Sequence, residues 1–157
     1  MKLAEALMLR ADCLKRIEQL KVRLVRSSKV QEGELPGEKP EDLFRELSET
    51  LDRLESLIIG INRTNSETAF RSDASLAAVL AERDILAMRR TIVQSVIEAA
   101  AIKQDRYSKS EVKFVPTVGI AELQKQVDGY AKAYRELDMK IQELNWQTDL
   151  VPVSIDG

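Results

Sequence analysis

The sequence contains no histidine and only one cysteine, Cys13. Without histidine, the chain cannot form Ser-His or Cys-His nucleophile systems, histidine general bases or the usual zinc sites. A single cysteine cannot form an internal disulfide, and its position on an apolar helical stripe predicts a small buried thiol. A site built from carboxylates alone stays open, but we predict no metal and no cofactor.

Aromatic residues, glycine and proline are also scarce: 4 % of the 157 residues are aromatic, and there are six Gly and four Pro. This composition favours long helices over a sheet with many turns. The net charge of −2 provides no overall basic field for nucleic acid. No run approaches the ~18 apolar residues of a membrane span, and the N-terminal twenty residues lack the apolar core of a signal peptide. We predict a cytoplasmic protein without nucleic-acid or membrane partners.

Apolar residues recur at three- and four-residue steps in four segments, which predicts four long helices. We expect them over about residues 2–27, 40–61, 74–105 and from 119 onwards, with Pro40 opening the second and Ser72 or Asp73 capping the third. A short extended connector around Val112 and Phe114 precedes the last helix.

The helices predict an all-α fold, an antiparallel bundle of four long helices. One domain then covers residues 1–150, and residues 151–157 form a flexible C-terminal tail. Residues 1–30 hold eight Lys and Arg against three Asp and Glu, whereas residues 31–60 hold three against nine. These opposite balances indicate that the first two helices lie side by side.

The fourth helix carries the most regular pattern, a coiled-coil-like seam with alternating steps of three and four. Its members are Ile120, Leu123, Val127, Tyr130, Tyr134, Leu137, Ile141 and Leu144. The third helix is apolar over much of its circumference, so we expect it to be the most buried of the four. A strip of that helix projecting beyond the others would suit self-association, and we predict a homo-oligomer.

The stretch "NRTN" follows Ile61, where the apolar stripe of the second helix stops. If the helices alternate in direction, this segment meets the end of the fourth helix at one pole of the bundle. A guanidinium fork, amides and an indole would there suit a small anionic ligand or a nucleotide. The candidate binding residues are Asn62, Arg63, Asn65, Arg71, Asn145 and Trp146.

The alternative is structural: these residues tie off a helix end, with Arg63 paired to Glu67 or Glu82. By the same reasoning, Glu82, Arg83 and Asp84 are expected to pair among themselves or to fix helix register.

No catalytic residues can be assigned. Glu46 and Glu49 form an ExxE pair, as in helical nucleotide pyrophosphohydrolases, but no suitably placed ExxD follows. Walker and GxGxxG loops are also missing from the sequence.

The segments "MKLAEALMLRADCLKRIEQL", "INRTN", "LAERD", "QDRYSKSEVKFV" and "RELDMKIQELNWQTDL" occur in this order. In these the chain resembles an uncharacterised all-helical bacterial family, some of whose members are labelled septicolysin. The resemblance implies one domain of bundled helices and carries no substrate, cofactor or catalytic residue. Two functions remain: a non-catalytic, self-associating scaffold or adaptor, and a small-anion or nucleotide-binding module, with or without enzymatic activity, at the polar pole.

Overall fold

The protein is mostly helical. A computed structural model describes residues 1–101 and 112–153, and within them it contains four helices and one small sheet. The elements are α1 (Leu3–Arg26), α2 (Pro40–Glu67), β1 (Ala69–Arg71), β2 (Ala74–Ser75), α3 (Leu76–Ala100) and α4 (Ile120–Gln147). They divide into unit 1, Met1–Ala77 with Glu143–Gly157, and unit 2, Ala78–Gln142. The four helices confirm the predicted all-α class.

Helix α2 begins where predicted but ends later. Pro40 occupies the first turn with Glu41 and Asp42, as the fixed φ of proline and the helix dipole favour. The helix then passes Ile61 and continues to Glu67, so "NRTN" lies inside it and the predicted end at Ile61 is wrong. The run of buried apolar residues on α2 stops at Ile61 because Thr64, a polar residue, takes the next buried position.

A β-hairpin that the sequence did not predict connects α2 to α3. Strands β1 and β2 pair antiparallel, with Ala69 opposite Ser75. Ser72 and Asp73 form the turn between them and therefore do not cap α3, which corrects that prediction. Helix α3 starts at Leu76, whose N–H donates to the Thr68 carbonyl over 2.8 Å.

The connector before α4 was expected to contain a short extended piece around Val112 and Phe114. Its described part, residues 112–119, contains neither helix nor strand. The expected end of the third helix near residue 105 falls outside the described residues. Within them, α3 ends at Ala100.

In unit 1, α1 and α2 pack antiparallel. Arg16 bonds Glu46 of α2, and Arg23 bonds Glu38, two residues before α2 begins, so residue numbers rise along α1 as they fall along the chain that it packs against. These pairs join the basic first helix to the acidic second one, which confirms that the two lie side by side. The predicted burial of Cys13 is also confirmed. The core includes Leu3, Ala6, Cys13 and Leu20 of α1 with Leu43, Leu54, Leu57 and Ile61 of α2.

The end of α4 and the segment after it are tied to α1 and α2, also within unit 1. The Leu3 N–H donates to the Thr148 carbonyl at 2.9 Å, and the Leu150 N–H donates to the Met1 carbonyl at 2.8 Å. Lys2 forms an ion pair with Asp149 at 2.9 Å. Beyond this point Val151 also bonds to α2, as described below, and residues 154–157 of the expected flexible tail lie outside the described residues.

Helix α4 keeps its predicted face. All eight seam positions from Ile120 to Leu144 are buried or half-buried. Helix α3 differs from expectation, because four large apolar side chains on it are 39–61 % exposed. Its apolar residues occupy two opposite sides of the helix, and one of these sides faces solvent. The prediction that the third helix is the most buried was therefore wrong.

Candidate functional site

Three of the predicted binding residues lie in the last two turns of α2. Asn62 and Arg63 are exposed, and Asn65 is half-buried. None of the carboxylates in the described residues pairs with Arg63, so the expected partners Glu67 and Glu82 do not neutralise it. The guanidinium is available to solvent.

Thr64, at the centre of the same stretch, is fully buried. Its hydroxyl donates to the Gly60 carbonyl at 2.7 Å and accepts the Val151 N–H at 2.9 Å. Gly60 leaves room for the segment after α4, since a Cβ there would lie 3.2 Å from Val153 Cγ2 and 3.4 Å from Leu150 Cδ2. We call Gly60, Thr64, Leu150, Val151 and Val153 the clasp. The centre of "NRTN" thus has a structural role.

The other predicted residues are placed differently. Asn145 is 4 % exposed, so its amide faces protein, whereas Trp146 is 54 % exposed. Arg71 forms an ion pair with Asp73 at 3.1 Å within the hairpin. The clasp holds the segment after α4 against α2, so the chain around Trp146 and the chain around Arg63 belong to the same end of unit 1. Whether these side chains bind one ligand stays a prediction.

A second candidate surface lies on α3. Ile85, Met88, Ile92 and Val96 are 45 %, 57 %, 61 % and 39 % exposed. Their steps of three, four and four residues place them on one side of the helix. We call these four residues the apolar stripe. At ~100° per residue, the stripe lies on the side of α3 opposite Arg83.

Arg83 bonds across unit 2 to α4. Its Nη1 donates to Asp138 Oδ1 at 2.8 Å, and its guanidinium also bonds Asp84 at 3.3 Å. Burial opposes the charged form, but the hydrogen bond to Asp138 and the charge of Asp84 more than compensate and raise the pKa of Arg83 above its ordinary value. The predicted pairing of Arg83 with Asp84 is confirmed, and the bond to Asp138 adds a link between two helices.

Within residues 1–101 and 112–153, no three side chains of the metal-binding types gather closely enough to hold a metal ion. Over the same ranges, none of the helices has the length and hydropathy needed to cross a membrane.

Comparison with known proteins places the chain in a family. Residues 10–150 match a family of unknown function, DUF6847. The chain belongs to this family. Its fold is similar to the crystal structure of a functionally unknown conserved protein from Corynebacterium diphtheriae, with 44 % sequence identity and a TM-score of 0.91. The similarity covers 96 % of this chain and 99 % of that one. None of the curated proteins matches the sequence.

Membership in DUF6847 agrees with the expectation of an uncharacterised helical family, but nothing in these comparisons supports the septicolysin label. The function of the family is unknown, so residue roles must come from geometry.

Sequence reasoning missed two features, the clasp and the exposure of the stripe. The stripe had a signal: Ile85, Met88, Ile92 and Val96 repeat at helical spacing along one side of the helix.

Proposed function

We propose that this member of DUF6847 works by association of its helices, as a self-associating, non-catalytic scaffold or adaptor. The observation that carries the proposal is the apolar stripe, four large side chains exposed in a row on α3. Contiguous apolar surface of this kind marks interaction sites in proteins that are otherwise polar outside. We infer that the stripe binds the same stripe of a second copy of the chain, in an isologous dimer.

The charges beside the stripe suit such a dimer. Asp84 precedes Ile85 and Arg89 follows Met88, so the two opposite charges flank the stripe on its two sides and five residues apart. When two copies of α3 run parallel, Asp84 of each copy meets Arg89 of the other, the arrangement by which flanking charges select partners in coiled coils. This complementarity favours a second copy of the chain as the occupant.

The energetics set the expected affinity. The four exposed fractions together equal about two whole apolar side chains, and burying each such side chain contributes about 1.5–3 kcal/mol. Two stripes in a dimer then contribute about 6–12 kcal/mol, against an association cost of about 4–15 kcal/mol. At the favourable end of both ranges the net is about 8 kcal/mol, which corresponds to a dimer in the micromolar range, and contacts at the rim of the stripe add to it.

The finer architecture belongs to the same proposal. It comprises an antiparallel four-helix bundle over residues 1–150, coiled-coil-like packing of the α4 seam and a cytoplasmic location. The support for it is the antiparallel pairing of α1 with α2 in unit 1, the Arg83–Asp138 bond in unit 2 and the burial of the seam.

Sedimentation velocity on the full chain tests the association. In Ile92→Lys, each copy loses the burial of a side chain that is 61 % exposed, which is about 1–2 kcal/mol. Because both copies carry the change, we expect the dimer to weaken about 30- to 700-fold. Met139→Lys is the matched control, since Met139 is 71 % exposed on α4 and lies outside the stripe. A wild-type chain that stays monomeric at about 100 µM would overturn the proposal.

A second candidate function, binding of a small anion at the polar pole, is favoured by the unpaired and exposed Arg63 together with the exposed Trp146. A thermal-melt series with inorganic phosphate and ATP tests it, because a ligand at ~100 times its Kd adds about 2.7 kcal/mol of stability. The shift is expected to vanish in Arg63→Ala and to persist in Arg53→Ala, an exposed arginine earlier on α2. Equal shifts in both variants would remove Arg63 from the site.

A further inference from the structure

A groove runs along α3 in unit 2, beside Tyr134 of α4. Its volume is about 590 Å³, within the range of small-molecule sites. Its polar lining includes Arg90, Thr91, Gln94, Ser95 and Glu98, and Ala87 with the ring of Tyr134 supplies apolar surface. The groove lies away from the apolar stripe, around the helix from Ile85 and Ile92.

Arg90 repeats the position of Arg83 two helical turns later, because seven residues make nearly two turns. Arg83 bonds Asp138 on the antiparallel helix α4. The equivalent partner of Arg90 lies seven residues before Asp138, and that residue is Ala131. None of the described residues pairs with Arg90. Arg90 therefore presents an unpaired positive charge to the groove, whereas the charge of Arg83 is neutralised by Asp138 and Asp84.

The far end of the groove has the opposite character. The Ser95 hydroxyl donates to the Thr91 carbonyl at 3.0 Å, as the Thr91 hydroxyl, which lies nearer Arg90, does to the Ala87 carbonyl. With their protons committed to the helix, these oxygens offer lone pairs to a ligand. Glu98 adds a carboxylate, to which Gln94 donates only a long bond of 3.5 Å. This end therefore accepts hydrogen bonds and favours a cation.

We propose that this groove binds a small zwitterion resembling an amino acid. Its carboxylate lies on the Arg90 guanidinium, and its ammonium group lies on Ser95 and Glu98. The backbone positions of Arg90 and Glu98 are about 12 Å apart along the helix, and the two side chains shorten the gap between their charges. An aliphatic spacer of a few methylenes then spans the groove against Ala87 and Tyr134.

A matched series of probes tests the proposal on the full chain by NMR titration of backbone amides. The probe is 6-aminohexanoate, and the two comparison compounds are hexanoate, which lacks the ammonium, and hexylamine, which lacks the carboxylate. We expect saturable shift changes at residues 87–98 and at Tyr134 with 6-aminohexanoate, and binding at least about tenfold weaker for either comparison compound, since each loses one charge-assisted contact.

Two variants localise the site. Arg90→Gln is expected to weaken 6-aminohexanoate at least about tenfold, and Arg53→Gln, at an exposed arginine of α2 outside the groove, is expected to leave it unchanged. Glu98→Gln provides a second test, because it should weaken 6-aminohexanoate while leaving hexanoate unaffected. The proposal is overturned by an absence of saturable shifts up to about 50 mM. It is equally overturned by hexanoate binding as tightly as the zwitterion, or by unchanged affinity in both Arg90→Gln and Glu98→Gln.

Discussion

Replacement of Thr64 by valine tests the clasp most directly. The substitution removes the hydroxyl that accepts the Val151 N–H at 2.9 Å and keeps the side chain close to its original size. Thr64 is fully buried, so water cannot readily replace the lost acceptor. The Gly60 carbonyl keeps its helical backbone bond, so the orphaned group is the N–H of Val151.

Two opposing contributions set the magnitude. Leaving a buried donor unsatisfied costs about 1–3 kcal/mol, towards the lower end here because Val151 is half-buried, and the added methyl group returns about 0.8 kcal/mol by burial. Threonine and valine have similar helix propensities, so α2 itself is little affected. We expect a net loss of about 1 kcal/mol in the free energy of unfolding, which lowers Tm by about 2–4 °C for a chain of this length.

Hydrogen exchange at single amides separates this effect from a general loss of stability. In Thr64→Val, the Val151 amide should exchange faster while the amides at the centre of α1 and α2 keep most of their protection. Thr64→Ser is the control, because it keeps the hydroxyl and should preserve protection at Val151 although it removes a buried methyl group. Unchanged protection of Val151 in Thr64→Val would refute the assignment of the hydroxyl as the acceptor that holds this segment.

Two further predictions concern the glycines of α2 and α4 and the ion pair between Arg23 and Glu38. Gly129→Ala should raise the free energy of unfolding by about 0.5–1 kcal/mol, because Gly129 lies in α4 with open space at its Cβ position. Gly60→Ala should give less, or a loss, since its Cβ meets Val153 at 3.2 Å; equal gains in chemical denaturation would contradict this. The hydrogen bond from Arg23 lowers the pKa of Glu38, so its contribution to stability is present above the unfolded pKa of about 4.3 and is lost as pH falls through the folded value. An NMR titration of Glu38 should therefore have its midpoint below about 4.3, and Arg23→Gln should move it upward; identical midpoints would count against the pair.

The local elements were largely predictable because their signals are local. The uninterrupted steps of the α4 seam predicted one buried face, and all eight positions have it. Pro40 with two following carboxylates marked the start of α2. The opposite charges of the first two helices anticipated Arg16–Glu46 and Arg23–Glu38, since neighbouring helices of opposite charge form pairs along their contact.

The end of α2 was not predictable in the same way. A polar stretch after the last apolar residue of a helical pattern, here Ile61, is typical of a helix end. Only the segment following α4 explains why Thr64 is buried there. That segment is 87 residues away along the chain, since Val151 supplies the N–H that the Thr64 hydroxyl accepts. Of the six predicted site residues, Asn145 turned inward and Arg71 paired within a hairpin that was itself not foreseen.

The sequence by itself determined the helical class, the start of α2 and α4, the pairing of α1 with α2 and the burial of Cys13, because periodicity, proline and charge act between residues that are close in sequence or on adjacent helices. Tertiary structure alone decided which apolar face of α3 is covered and which polar residues near "NRTN" are buried. Periodicity identifies the faces of a helix, but only its packing neighbours determine which of those faces meets water.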